Sequence, residues 1–166
     1  MNHSDFEAIA TFGKKLAYLE NIEDALIAIA EKAKELLDAE RCSIFLVDSD
    51  ANILWTRLSN GIGRIAIGLD SGIAGLTYQS AEAQIINDPY NHPNFLAAID
   101  EKSGYKTRNI IAVPIFGSEQ TVIGVMQLLN KRDETQEFNV EDKHLLTFLS
   151  NYVSGTLELA LKLSKH

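Results

Sequence analysis

Short apolar segments fill the middle of the chain, with an amphipathic helical pattern on either side of them, and this order most constrains the fold. Before them, apolar residues recur at helical spacing over residues 22–37, with Asn21 placed to cap the helix. After them, residues 139–163 repeat the design. Residues 6–19 also have near-helical spacing, although Gly13 weakens this segment. On the last helix the positions predicted to form the apolar stripe are Leu145, Leu149, Tyr152, Val153, Thr156 and Leu159 or Ala160.

The apolar segments in the middle of the chain have the length and composition of β-strands. They are separated by clusters of Gly, Asn, Asp and Ser that favour turns. The strands are predicted at about 41–47, 53–58, 64–67, 83–87, 110–116 and 121–129. Strands enclosed by terminal helices predict an α+β domain, with an antiparallel sheet that carries helices on one face and loops on the other.

Composition narrows the classes of function. The 166 residues include 23 acidic and 15 basic side chains, and the net charge of −8 argues against nucleic-acid binding. Apolar runs fall far short of the roughly 20 residues that cross a bilayer, so we expect a cytoplasmic protein with no membrane contact. Cys42 is the only cysteine, and the four histidines lack metal-ligand spacing. We therefore expect no metal, no cofactor and no catalytic residue.

One local pattern indicates ligand binding. Residues 69–75 form a loop that opens a helix, and Gly72 lets the backbone approach a bound group closely. The N–H groups of Ile73, Ala74 and Gly75 would then point outward at the positive end of the helix dipole, a site suited to phosphate. An ordinary helix start capped by Asp70 or Ser71 explains the same residues equally well.

Two other segments carry polar groups at useful positions. Residues 100–109 are polar, precede a buried strand, and either close over a ligand or connect two elements through solvent. Lys131 ends a strand and Asp142 begins the last helix, so we expect a salt bridge between sheet and helix.

Taken together, several motifs resemble those of a GAF domain. They are RCSIFLVD at 41–48, GIAG at 72–75, NDPY at 87–90, TRNI at 107–110 and VIGVMQLLNK at 122–131. The resemblance is greatest to the GAF domains of cyclic-nucleotide phosphodiesterases and of bacterial, especially cyanobacterial, adenylate cyclases. It implies a central antiparallel sheet of about six strands, with the terminal helices on one face and ligand-covering loops and short helices on the other. It also implies that residues 1–20 form a dimer or linker helix before a GAF domain at 21–166.

The same resemblance implies a cyclic nucleotide as ligand and assigns residues to it. Ser43 lies on the pocket floor, and the N–H groups of Ile73 and Ala74 bind the cyclic phosphate. Asp100, Ser103 and Thr107 occupy lid positions that contact ribose and phosphate. Gln127 stands where some members have Glu, and Leu96 replaces a contacting Tyr. Ser59 stands where guanine binders place Asp, which favours cAMP over cGMP because guanine presents adjacent N–H donors.

A structural signature of that subgroup is also present. Asn130, Lys131, Phe138 and Asp142 match it, whereas Lys143 stands where Glu is usual. In the subgroup, the Lys and the Asp pair behind the pocket.

Two functions follow as hypotheses. The first is a cyclic-nucleotide sensor that relays its signal through the terminal helices to a fused effector domain, as a homodimer. The alternative is a dimerisation and relay module of a two-component or transcription-regulatory protein, with another ligand or none. Small GAF proteins that reduce methionine sulfoxide need several cysteines, so we do not expect an enzyme.

Overall fold

A computed structural model describes residues 1–19, 21–57, 64–133 and 136–164. The helices are α1 (His3–Leu16), α2 (Ile22–Leu37), α3 (Gly72–Ser80), α4 (Ala97–Ser103) and α5 (Val140–Ser164), with a 3₁₀ turn at Pro89–Asn91. The strands are β1 (Ala39–Asp48), β2 (Ile53–Arg57), β3 (Arg64–Gly68), β4 (Gln84–Ile86), β5 (Ile110–Phe116) and β6 (Val122–Lys131).

The six strands form one antiparallel sheet in the order β3-β2-β1-β6-β5-β4. This confirms the predicted α+β class and the six-stranded sheet. The long central strands β1 and β6 pair over most of their length, and Ser43 lies directly opposite Gln127. Because side chains alternate across a strand, residues 43 and 127 share one face of the sheet, and residues 44 and 126 share the other.

One face of the sheet carries α1, α2 and α5 over an apolar core. Asn21 caps α2 by accepting a hydrogen bond from the Asp24 N–H at 2.8 Å, as the sequence predicts. This core contains, among others, Ile9, Phe12, Leu26, Ile29, Ile44, Leu46, Met126, Leu128, Leu146, Leu149 and Val153. Burial of this kind is the main term that stabilises the domain.

The predicted stripe on α5 was partly wrong. Leu145, Leu149 and Val153 are buried, but Tyr152, Thr156 and Leu159 are exposed. Leu146 and Leu157 are buried instead, among the residues that face the sheet.

Gly13 does not break α1, and its small size has a reason in the packing. A Cβ atom added at this position would collide with the phenol of Tyr152 on α5. The glycine therefore permits close approach of the two helices, at the cost in helix propensity noted above.

Candidate functional site

The other face of the sheet, together with α3 and α4, lines most of a cavity of about 630 Å³, and the lining continues onto residues 26–34 of α2. That volume lies within the usual range for small-molecule sites. Its floor is the sheet: Ser43 of β1 and Gln127 of β6 lie side by side there, with Phe45 and Leu129 beside them.

The start of α3 forms one wall of the cavity. Gly72 has a φ of +66°, a left-handed conformation suited to glycine, and Ile73 and Ala74 follow it, both buried against the cavity. Ser71 occupies the cap position, but its side chain makes no capping hydrogen bond. Within the part of the chain that the structure describes, Ser71 therefore does not supply the side-chain cap that the sequence left open as an alternative, and the N–H groups of the first helical turn have no intrahelical partner.

Among the described residues that line the cavity, two buried polar atoms have no hydrogen-bond partner. They are the hydroxyl oxygen of Thr107, in a residue only 1% exposed, and the amide oxygen of Gln127. Buried polar groups are nearly always satisfied in native proteins, because each unpaired group costs about 1–3 kcal/mol. Thr107 comes from the segment before β5 and Gln127 from the floor, so the two atoms lie on different walls of one cavity.

Asp100 of α4 lies on the lining but is already engaged. One carboxylate oxygen accepts hydrogen bonds from the Tyr90 hydroxyl at 2.6 Å and from the Thr107 N–H at 2.9 Å. The hydrogen bond to Asp100 raises the pKa of Tyr90, which keeps the phenol a donor. Asp100 thus holds the segment that carries Thr107.

Ser103 lies away from the cavity. It is exposed at the end of α4, where its hydroxyl donates to the Asp100 carbonyl at 3.5 Å and accepts from the Tyr105 N–H at 3.3 Å. The Ser103 hydroxyl closes its own helix end, and its contact with a ligand stays a prediction. Ser59, the predicted base-reading residue, lies outside the described residues.

Apolar side chains surround the mouth of the cavity. Ile27, Ile65, Leu96 and Ile99 are all partly exposed and all line it. Leu96 lies at this mouth and contributes only apolar surface. A ligand would therefore meet polar groups inside and apolar groups at the entrance.

The charged side chains of the lining are mostly paired. Lys34 bonds Glu31 at 3.0 Å on the surface of α2. Among the described lining residues, Arg41 is the one cation with no carboxylate partner, and its guanidinium lies 3.6 Å above the ring of Tyr105.

Behind the cavity, Asn130 ties several segments together. It has a φ of +60° and is fully buried, and its amide oxygen accepts from the Arg108 N–H at 2.6 Å and the Asn109 N–H at 3.2 Å. Its amide nitrogen donates to Glu40 and to the Lys106 carbonyl, at 3.0 and 2.9 Å. The position thus needs both a left-handed backbone and a short side chain with donor and acceptor, which Asn supplies.

Lys131 and Asp142 form the expected ion pair at 3.0 Å, with side chains 12% and 11% exposed. The ammonium group also donates to the Leu37 carbonyl at 2.9 Å and lies 5.8 Å from the Phe138 ring centre. Asp142 and Asn139 exchange backbone-to-side-chain hydrogen bonds at 2.9 and 3.0 Å, which caps α5. The pair therefore joins the ends of α2, β6 and α5.

The sequence matches the GAF domain family over residues 21–157. The chain is a GAF domain. The family comprises small-molecule-binding regulatory domains, and the four signature residues Asn130, Lys131, Phe138 and Asp142 lie together behind its cavity.

Relatives of this GAF domain include phosphodiesterases. A probable 3′,5′-cyclic phosphodiesterase, pde-5 of Caenorhabditis elegans, is 32% identical over 127 residues, which is 68% of this chain and 17% of that protein. The dual 3′,5′-cyclic-AMP and -GMP phosphodiesterase 11A of Takifugu rubripes is 31% identical over 124 residues, 67% of this chain and 14% of that protein. The chain thus spans about a sixth of the length of these relatives.

Solved structures agree on the fold. The GAF domain of an Acinetobacter phosphoenolpyruvate-protein phosphotransferase superposes with a TM-score of 0.82 at 18% identity and covers all of both chains.

The described residues of this GAF domain give no evidence of a metal site or of a reactive thiol. Within it, no group of three or more His, Cys, Asp and Glu side chains is placed to hold a metal ion. Burial raises the pKa of the Cys42 thiol strongly, which favours its protonated form. Among the same residues, no helix is long and apolar enough to span a membrane.

Sequence reasoning missed Glu40, and it included Tyr105 only as part of the polar segment 100–109, without a role of its own. Their contact joins positions 65 residues apart, and no local pattern signals it. The GAF resemblance offered the one available indication, which is position in the sequence. Glu40 lies directly before the motif at residues 41–48, and Tyr105 lies two residues before the TRNI motif.

Proposed function

We propose that this GAF domain is a cyclic-nucleotide sensor. The observation that carries the proposal is the pair of unpartnered buried atoms, the Thr107 hydroxyl and the Gln127 amide oxygen, in one cavity with the start of α3. A ligand that supplies both missing hydrogen bonds and an anionic group would satisfy all three features. The names of the relatives, cyclic-nucleotide phosphodiesterases, support the same class of ligand.

The phosphate would bind at the start of α3. The uncapped N–H groups of Ile73 and Ala74 lie at the positive end of the helix dipole, where anions are stabilised. Thr107 faces the same cavity, so its hydroxyl is placed to contact the ribose or the phosphate of a ligand held there. Asp100 supports Thr107 through the backbone hydrogen bond, and we propose that it acts through this contact.

The base would lie over the floor, where we propose that Gln127 reads it and Ser43 lies beside it. A Gln amide offers one donor and one acceptor, which matches the N6 donor and N7 acceptor of adenine. Guanine presents two acceptors, O6 and N7, at the corresponding edge, so a Gln amide cannot bond both. This favours cAMP over cGMP, in agreement with the preference inferred from Ser59. The ligand contacts of Ser59 and Ser103 stay predictions.

The output would pass through the terminal helices to a fused effector domain. The signature pair Lys131–Asp142 joins α2, β6 and α5 next to the cavity, so a ligand that shifts the sheet also biases these helices. In this proposal, residues 1–20 serve as the linker or dimer helix, residues 21–166 as the sensor in the cytoplasm, and the domain itself catalyses nothing.

Exposed apolar residues on α5 favour dimerisation. Dimerisation would serve the sensor function or the alternative function, a dimerisation and relay module. Leu159 and Leu163 are 60% and 67% exposed and lie four residues apart on α5, one helical turn from each other. Apolar residues at such spacing suit helix pairing between two copies. Light scattering of the wild type and of Leu159→Glu tests this, since the charged variant should be monomeric where the wild type is a dimer.

Thermal unfolding with cAMP, cGMP and 5′-AMP tests the sensor proposal. Ligand at about 100 times its dissociation constant adds about 2.7 kcal/mol, which raises Tm by roughly 5–10 °C in a domain of this size. We expect this rise with cAMP, a smaller one with cGMP and none with 5′-AMP. Thr107→Val should reduce the rise, whereas the exposed Thr121→Val should not. No rise with either cyclic nucleotide at millimolar concentration would contradict the proposal.

A further inference from the structure

The lid segment, defined as residues 104–108, leads from α4 to β5 and carries Thr107 to the cavity. At its beginning, the Tyr105 hydroxyl donates to Glu40 at 2.8 Å and accepts from the Asn130 amide nitrogen at 3.0 Å. Burial and the bond to Glu40 raise the pKa of Tyr105 to about 12, so the phenol remains a donor at neutral pH. The hydroxyl therefore binds the segment to both central strands, β1 through Glu40 and β6 through Asn130.

The ring of Tyr105 is held as well. The Arg41 guanidinium lies 3.6 Å above its centre, and among the described residues no carboxylate draws Arg41 elsewhere. Glu40 is fixed in turn by Arg108, whose guanidinium bonds it at 3.5 Å and the Lys131 carbonyl at 2.8 Å. One side chain of the lid segment thus meets two consecutive residues of β1, with its hydroxyl and its ring engaged separately.

The rest of the lid segment depends on other contacts. Asn130 accepts from the Arg108 N–H and anchors the end of the segment without Tyr105. Thr107 is held by its own N–H bond to Asp100, which belongs to α4 rather than to the sheet. Between α4 and Arg108, Tyr105 supplies the side-chain contacts with the sheet, next to one backbone contact in which the Lys106 carbonyl accepts from the Asn130 amide nitrogen at 2.9 Å.

We propose that Tyr105 is a positioning residue for Thr107: held by Glu40, Asn130 and Arg41, it fixes the lid segment over the cavity and slows ligand exchange. The identity of the ligand in this proposal rests on the proposed function, whereas the ordering of the lid segment does not. Thr107 lies two residues after Tyr105, so loosening the phenol displaces the hydroxyl that faces the ligand.

Hydrogen exchange of the ligand-free domain tests the positioning role directly. Tyr105→Phe keeps the ring and the Arg41 contact but removes both hydroxyl bonds, and it should speed exchange at residues 104–107 about tenfold, as expected for loss of hydrogen bonds to a charged group. Arg41→Ala should have a smaller effect, about threefold, and Arg41→Lys should restore most of the protection. Tyr18→Phe, at an exposed tyrosine on the other side of the fold, is the matched control.

The location of the change separates positioning from a general loss of stability. If Tyr105 is a positioning residue, Tyr105→Phe raises the exchange rate in the lid segment, while the exchange rates in β5 and α2 and the Tm of the domain stay near those of the wild type. The proposal would be overturned if Tyr105→Phe raised the exchange rate equally in the lid segment, β5 and α2. It would also be overturned if the lid segment exchanged at the same rate in Tyr105→Phe and Tyr18→Phe.

Ligand kinetics provide the second readout. For a fluorescent cAMP analogue, Tyr105→Phe should raise the dissociation rate about tenfold and leave the association rate nearly unchanged. Equal dissociation rates for Tyr105→Phe and Tyr18→Phe would overturn the proposal. If the wild type binds no cyclic nucleotide, the sensor proposal fails, and the exchange measurement still decides the role of Tyr105.

Discussion

The two faces of the sheet use the same strands in opposite ways. On the helix face, Met126 and Leu128 are fully buried under α2 and α5, and the buried hydroxyl of Ser150 is satisfied by the Pro114 carbonyl at 3.1 Å. On the cavity face, the neighbouring Gln127 and the buried Thr107 keep polar atoms without partners. A one-residue step along β6 thus separates a closed apolar core from a lining with unused hydrogen-bonding capacity.

The two faces of the sheet therefore contribute differently to stability and to ligand binding. The helix face buries its apolar side chains and pairs the buried Ser150 hydroxyl, so it supplies stability. The cavity face breaks the rule that buried polar groups are paired, and sites that break such rules are commonly functional. Substitutions on the two faces should therefore separate stability from binding.

The largest expected effect lies where the two faces are joined. Asp142→Ala leaves the Lys131 ammonium group buried without its partner, and it should lower the free energy of unfolding by about 3–5 kcal/mol. Chemical denaturation measures this change. The adjacent, exposed Glu141→Ala is the control and should cost less than about 0.5 kcal/mol. Similar losses for the two variants would contradict the structural role of the pair.

A core substitution on the helix face should act on stability alone. Leu146 is fully buried, and Leu146→Ala should lower the free energy of unfolding by about 2–5 kcal/mol through lost apolar contact and a residual cavity. At a temperature where the variant remains folded, its affinity for cAMP should equal that of the wild type within twofold. A large loss of affinity in the folded variant would show that the faces are not separable.

Two hydroxyls, one on each face, give the sharpest comparison. Ser150→Ala removes the hydrogen bond to the Pro114 carbonyl and should cost about 1 kcal/mol of stability without changing ligand affinity. Thr107→Val removes an unpaired hydroxyl, so the ligand-free domain should be as stable as the wild type or up to about 1 kcal/mol more stable, while affinity falls about tenfold. The opposite pattern, with Thr107→Val destabilising and binding normally, would assign Thr107 to the core.

The smallest effect should be a pH dependence from Glu40. Partial burial raises its pKa, but hydrogen bonds from Asn130 and Tyr105 and the charge of Arg108 outweigh burial and lower the pKa below 4.5. Because the folded value is the lower one, Glu40 stabilises the domain above pH 4.5, and this contribution disappears as the pH falls through the folded value. The difference in Tm between wild type and Glu40→Gln should thus shrink from pH 7 to pH 3. A difference that grows on acidification would contradict this sign.

Much of this architecture follows from local sequence patterns. The short apolar runs bounded by turn-forming residues indicate the strands, and the Asn–Asp pairs at residues 21–24 and 139–142 indicate the helix starts. The signature residues locate the ion pair Lys131–Asp142 because the resemblance preserves their order.

What the sequence could not predict depends on tertiary contacts. On α5 the apolar positions allow stripes offset by one residue, and packing on the sheet selects Leu146 and Leu157 rather than Tyr152 and Leu159. The Ser103 hydroxyl bonds backbone groups at the end of α4. Composition alone cannot decide whether such a hydroxyl bonds the nearby backbone or another partner. The Tyr105–Glu40 contact joins distant segments and becomes visible only when the chain is folded.

Nuclear magnetic resonance of the ¹⁵N-labelled domain, titrated with cAMP, tests the central claim most directly. The account predicts that the largest shifts fall on the backbone amides of Ile73, Ala74 and Thr107 and on the side-chain amide of Gln127, with little change at buried helix-face residues such as Met126. The absence of shifts at these four groups at millimolar cAMP, or shifts concentrated on the helix face, would contradict it.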